Sequence, residues 1–189
     1  MRNQVWRYFA MAFLAASLAV GVSGCADELD NPATPDGRPL LNDQVAAAIG
    51  YFKQANPAAA SLFNSSVGYA VLPNVINFGL IIGGAGGYGE VFADGNMIGT
   101  CQLEQGSIGG QIGGQEYTEY IFFQSRLALD DFEHNVASFD ARASAVAAVA
   151  GAGSAINYQP GVIVYVKPRV GLMAQAAIGG QQFQYYPLP

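Results

Sequence analysis

Apolar and polar positions change period several times along the chain, and each change marks a different kind of element. Tyr8 to Val22 is an uncharged, mostly apolar run of about fifteen residues behind a short segment carrying Arg2 and Arg7. Ala26 to Leu41 follows, with Asp27, Glu28, Asp30, Asn31, Gly37 and three prolines, a mixture that breaks helices and strands and has little to bury. From Asp43 to about Gln54 the apolar positions Val45, Ala48, Ile49 and Phe52 fall at i, i+3, i+4 and i+7, one face of a helix that Asp43 can cap. Asn56 and Pro57 stop it and start a short second helix over Ala58 to Phe63. The apolar face of the first helix either packs on a core or touches lipid. Only Lys53 on this stretch is basic, whereas interfacial helices usually carry a cationic polar face.

From Val67 onward the runs become short, aliphatic or aromatic, and dense in glycine, which is the pattern of strands. Strands are expected over Tyr69–Leu72, Gly79–Gly84, Tyr88–Phe92, Met97–Leu103, Ser107–Gln111 continuing to Phe123, Gly161–Val166 and Gly171–Ile178. Asp94-Gly95 predicts a tight hairpin, because both central positions of a type I′ turn need positive φ. Ser125 can cap a helix over Arg126 to His134 that buries Leu127, Leu129 and Phe132. The alanine-rich stretch Ala143–Val149 reads as either a buried strand or a helix, since period alone does not separate the two, and strand is the favoured reading.

Composition narrows the classes. With 189 residues, 51% apolar and 12% charged, the chain has room for one folded domain plus an export segment and a tether. The formal charge of −6 becomes −8 once Arg2 and Arg7 leave with the leader. That balance argues against a nucleic-acid partner, which needs a basic face, and against attraction to anionic headgroups by bulk charge. The apolar run is short for a spanning helix and suits a cleaved signal.

The run ends in Val22-Ser23-Gly24-Cys25, which resembles the lipobox of bacterial lipoproteins: an aliphatic residue, two small residues and the cysteine that receives diacylglycerol. That resemblance implies cleavage before Cys25, acylation of its thiol with palmitate-class chains, and, with Ala26 next, an address at the outer membrane facing the periplasm. Each buried acyl CH₂ contributes about 0.8 kcal/mol, so two or three chains hold a protein at a membrane essentially permanently. The expected organisation is therefore a signal peptide over residues 1–24, an acylated tether over 25–41 and a domain over 42–189. Cys101 is the one cysteine left, so no intramolecular disulfide forms; it reads as a buried strand residue, with a free thiol for intermolecular pairing as the alternative.

A phrase of isoleucine, two glycines and a following aromatic recurs at Ile82-Gly83-Gly84 with Tyr88, Ile112-Gly113-Gly114-Gln115 with Tyr117, and Ile178-Gly179-Gly180-Gln181 with Phe183. Its irregular spacing excludes a solenoid. Paired glycines permit sharp coiling of a sheet or close approach of another backbone, so the expected fold is α+β: a strongly curved antiparallel sheet, open or closed as a barrel, with a few packed helices. The ordered phrases Gly68-Tyr69-Ala70-Val71-Leu72-Pro73, Gly83 to Gly89, Gly106 to Tyr117 with Ile121-Phe122-Phe123, Phe139-Asp140-Ala141, Gly161 to Tyr165 and Gly171-Leu172-Met173 resemble the SYLF domain over nearly everything from residue 43 to Pro187. The resemblance implies phospholipid binding without catalysis, at a phospholipid membrane. In eukaryotic relatives phosphoinositide recognition is associated with basic residues and an amphipathic amino-terminal helix. The basic residues of this body are Arg38, Lys53, Arg126, Arg142, Lys167 and Arg169. Lys167 and Arg169 flank Pro168 in an expected loop as the closest basic pair and, with Lys53, are the candidate headgroup contacts; a solvated turn is the alternative.

Other chemistry finds little support. Gly84-x-Gly86-x-x-Gly89 satisfies a dinucleotide glycine pattern but leads into Glu90-Val91-Phe92 and a hairpin instead of a helix. His134 is the sole histidine and, with no cysteine cluster, makes no metal-ligand spacing; a Ser/His/Asp hydrolase site would have to use it, but no nucleophile-elbow sequence accompanies any serine, and it reads as a surface residue at a helix end. Glu116 and Glu119 fall on opposite faces of a regular strand and form no acid–base pair. No cofactor and no metal is expected. The leading expectation is a non-enzymatic, lipid-binding envelope lipoprotein; the alternative is a structural or adaptor lipoprotein that recognises an envelope protein partner.

Overall fold

The computed structural model describes residues 31–79, 82–108, 113–135, 138–139, 154–170 and 181–188. Cys25, the leader and the strands expected over Ala143–Val149 and Gly171–Ile178 lie outside the described residues. Two helices, α1 (Gly37–Ala55) and α2 (Leu62–Ser65), precede four strands, β1 (Gly68–Gly79), β2 (Ile82–Ala93), β3 (Asn96–Ile108) and β4 (Gly113–Phe123). Then come α3 (Arg126–Glu133), a two-residue β5 (Ser138–Phe139), β6 (Ser154–Gln159), β7 (Val162–Val170) and β8 (Gln181–Pro187). The strands form one antiparallel sheet in the order β5-β8-β3-β2-β1-β4-β7-β6, which makes the fold α+β.

The first helix begins earlier than its sequence suggests. Pro39 lies in its opening turn, where the missing N–H would have had no partner, so the helix tolerates it. Asp43 is therefore inside the helix and caps nothing, and residues 37–41 belong to the domain, not to the tether. Leu41 extends the apolar stripe by one turn and, with Val45 and Phe52, is buried against Val71, Tyr120 and Phe122 of the sheet. Of the two readings of this face, packing on a core is the one observed. The second helix is shorter and later than the expected Ala58–Phe63, because Asn56 O accepts the N–H groups of Ala59 and Ala60 in turns before the helix starts. Phe63 survives as its buried anchor.

Alternation sorts each strand into two faces. Tyr69, Phe92, Phe122 and Tyr165 point to the helices, while Leu72, Val91, Leu103, Ile121, Val164 and Phe183 point to a second, larger core. That second face is concave. Strands β8 and β4 are four ladder steps apart, which in a flat sheet is about 19 Å. Yet Gln181 Nε2 of β8 donates to Glu119 Oε2 of β4 at 3.1 Å across the concave side. Close strand contacts permit the bend: a methyl group on Gly87 would stand 2.4 Å from Asn74 O, and one on Gly89 2.6 Å from Val71 O. The adjoining register shift in β1, around Pro73, has its freed carbonyl bonded by Thr118 Oγ1 at 2.9 Å. The sheet is not closed, since among the described residues no ladder joins β5 to β6.

α3 fills one end of the curl through Phe132, whose ring meets Phe123 at 5.0 Å and Phe183 at 5.2 Å. Ser125 caps it as expected, its Oγ accepting from Ala128 N at 3.3 Å. Leu127, in contrast, is 70% exposed: the buried face runs through Ala128, Leu129 and Phe132, and Leu127 lies off it. The Asp94-Gly95 turn has φ of 51° and 78°, joining β2 to β3 as predicted. Two expected strands are redrawn. Gly79–Gly84 straddles the end of β1 and the start of β2, with Gly79 opposite Gly83, and the continuous run from Ser107 to Phe123 divides into β3 and β4. Cys101 is buried on β3 as a free thiol.

Candidate functional site

Lys167 and Arg169 are two residues apart on β7, so in a regular strand they share a face, here the one that carries Tyr165 toward α1. The Lys167 ammonium sits over the Tyr51 ring of α1, 3.4 Å from its centroid. Arg169 forms an ion pair with Glu116 at 2.9 Å and a hydrogen bond to Asn74 Oδ1. Asn74 in turn donates to Gln44 Oε1 of α1 at 2.8 Å. The pair is therefore built into the seam between α1 and the sheet and is not a solvated turn. Burial and the neighbouring Arg169 charge both lower the Lys167 pKa from its ordinary value, because each disfavours a second cation there. Among the described residues Lys167 has no carboxylate partner.

Lys53 occupies a different position. It lies two residues after Tyr51 on α1, with its ammonium over the Phe63 ring at 5.1 Å. The aromatic seam of Phe52, Phe63, Phe122 and Tyr165 runs beneath the helix and joins these surroundings, with ring centroids 5.0 to 6.1 Å apart. What this arrangement offers chemically is a cation beside a second, already neutralised cation, framed by an aromatic ring and two amides. Such a rim can hold an anionic oxygen; it carries no nucleophile paired with a base.

Two buried carboxylates escaped the sequence reading. Glu90 on β2 is buried beneath the first turns of α1, where Asn42, with its amide turned to suit its neighbours, donates to Glu90 Oε1 and to Arg38 O. Burial pushes its pKa up to about 7, against an opposing pull from the Arg38 guanidinium. Glu119 is fully buried on the concave face, and burial likewise raises it to about 7, with the Gln181 amide opposing. A signal existed for both: Glu90 shares the parity of Tyr88 and Phe92, and Glu119 that of Tyr117, Ile121 and Phe123, so each interrupts an otherwise apolar row. Tyr51, Gln44 and Asn74 left none, because their partners are remote in the chain.

His134 is exposed at the end of α3, its Nδ1 2.7 Å from Asp130 O. Glu116 and Glu119 face opposite ways, as expected, and pair with Arg169 and Gln181 respectively. Among the described residues no group of three or more His, Cys, Asp or Glu side chains could hold a metal ion, and no helix is long and apolar enough to cross a membrane. No protein-family model matches the chain, and no curated protein is significantly similar to it.

Proposed function

We propose that this chain is a non-enzymatic envelope lipoprotein, anchored by acylated Cys25 to a membrane facing the periplasm, whose SYLF-like body binds phospholipid. The observation that carries the reading is Lys167: a cation held against Tyr51, beside Arg169, with no carboxylate of its own among the described residues. The phosphate of a headgroup supplies the missing charge, and the Asn74 and Gln44 amides lie beside it as polar neighbours. Lys53 contributes from the same helix at a lesser contact. The same reading takes the curled sheet as a barrel-like cradle, with its concave core sealed and its convex face given to α1.

Flotation of the mature body lacking residues 1–25 with vesicles tests the reading without the acyl anchor. Binding to vesicles containing phosphatidylglycerol, weaker for Lys167→Ala by about five- to tenfold, is the expected result, since one headgroup contact of about 1 kcal/mol is removed. No association with any headgroup composition defeats the lipid-binding half. The adaptor reading rests on a separate observation, the formal charge of −8 without Arg2 and Arg7, which repels anionic lipid as readily as it suits a basic protein surface. Cross-linking in cells that returns reproducible protein adducts, together with no vesicle binding, favours it.

A further inference from the structure

The concave core contains a polar contact that its surroundings do not complete. Glu119 and Gln181 are both fully buried, and a single hydrogen bond is drawn between them, from Gln181 Nε2 to Glu119 Oε2 at 3.1 Å. The remaining oxygen of each group, Glu119 Oε1 and Gln181 Oε1, is buried with no hydrogen-bond partner. Two unsatisfied acceptors in one buried pair are costly, because each loses its hydration and gains nothing. Both belong to the same two side chains, so one added hydrogen serves both. A proton on Glu119 Oε1 can donate to Gln181 Oε1 while Gln181 Nε2 donates to Glu119 Oε2, and the acid and the amide then pair at two points.

We propose that Glu119 is a proton-binding group: as the neutral acid it closes a two-point pair with Gln181 that ties β8 to β4 across the concave face, and its ionisation releases that tie. The proton comes from solvent and returns to it. Among the described residues no Lys, Arg or His side chain lies on this face to replace it. Among the described residues, the titratable side chains on this face are Tyr117 of β4, Cys101 of β3 and Tyr185 of β8. β1, β2 and β7 turn no titratable side chain to it, and α3 meets it through Ala128, Leu129 and Phe132, although its Glu133 acts on Tyr185. Burial holds the Cys101 thiol well above its ordinary range, and a Glu119 charge would push it further, so the thiol stays neutral and offers no compensation. Burial also favours the uncharged form of Glu119 itself.

The tie joins β8 to β4, whereas its other holds are the seven-residue ladder to β3, the two-residue β5, the Phe183 ring packed on Phe132 of α3 and the bond from Tyr185 N to Asn135 Oδ1 at 2.6 Å. Above the pH at which Glu119 ionises, the pair becomes a buried charge with one donor, and the β8 arm loosens.

The test uses the mature lipidated chain in detergent micelles. Glu119→Gln reproduces the neutral pair, since its own amide donates to Gln181 Oε1. At about pH 5 the variant and the parent should unfold with constants within about fivefold of each other; at about pH 8.5 the parent should be about three-hundredfold less stable than the variant. Infrared spectra of the parent near pH 6 should show the carbonyl stretch of a protonated carboxylic acid that Glu119→Gln removes and Glu90→Gln does not. A variant that fails to fold, or that is less stable than the parent at about pH 8.5, overturns the proposal. So does the absence of that band, or a stabilisation of the parent by added potassium or calcium that Glu119→Gln abolishes, which would make a cation the occupant.

Discussion

Replacing Phe52 by alanine tests whether α1 is part of the folding unit or an appendage laid upon it. Phe52 is 2% exposed, and its ring meets those of Phe63, Tyr120, Phe122 and Tyr165 at 5.5, 4.7, 5.7 and 5.1 Å. Truncating a buried phenylalanine typically costs about 3–5 kcal/mol, combining lost transfer energy with the cavity left behind. The four ring contacts share one side chain, so their separate gains of about 0.5–1.5 kcal/mol do not add, and the sheet below cannot follow the helix to close the gap. A loss of about 4 kcal/mol is expected. With a urea slope of about 2 kcal/mol/M, the midpoint should fall by about 2 M, unchanged in slope if α1 unfolds with the sheet. Tyrosine fluorescence and far-ultraviolet dichroism of the mature chain report it, since the sole tryptophan, Trp6, lies in the expected leader. A loss below about 1 kcal/mol, with hydrogen exchange rising only over Gly37–Ala55, would refute the placement of α1 in the cooperative core.

The other expectations are smaller. Ser125→Ala removes the acceptor for Ala128 N and should cost about 0.5–2 kcal/mol by urea unfolding; a neutral result would show that the cap is idle. Glu90 binds its proton more tightly folded than unfolded, between its ordinary value of 4.5 and about 7. Stability from this group is thus fully present below that window and lost as pH rises through it, so Glu90→Gln should flatten part of the decline between about pH 5 and 8, and midpoints that track the parent at every pH would sink the idea.

Local features were legible and remote ones were not. The Asp94-Gly95 turn and the Ser125 cap depend on residues within three positions, and both appear where expected. The start of α1 was hidden by Pro39, a breaker everywhere except in the first turn it occupies. β8 was hidden because its inward row begins with Gln181, whose burial makes sense only once the sheet curls and brings Glu119 to it. β6 was hidden for a related reason, as Ser154–Gln159 is a short edge strand with a mixed sequence. At the candidate site Lys167 and Arg169 were expected in a loop because of Pro168, yet β7 runs through them, and Tyr51 and Asn74 come from other elements that no local pattern joins to it.

How the body meets a membrane follows from where α1 begins. Residues 31–36, which lead into α1, are folded in a hydrogen-bonded turn: Thr34 N donates to Asn31 O at 3.0 Å and Gly37 N to Thr34 Oγ1 at 3.0 Å. From Gly37 to Tyr51 the helix advances about 21 Å. On the proposed reading, in which acylated Cys25 holds the chain to a membrane, the anchor would act on the body through this turn and the start of α1. That end of α1 is held to the sheet by Leu41, Val45 and the contact of Asn42 with the buried Glu90. If the proposed anchor and headgroup site both act through α1, weakening its dock at Phe52 should reduce vesicle binding by the body although Phe52 is buried; unchanged binding by a folded Phe52→Ala body would refute that link.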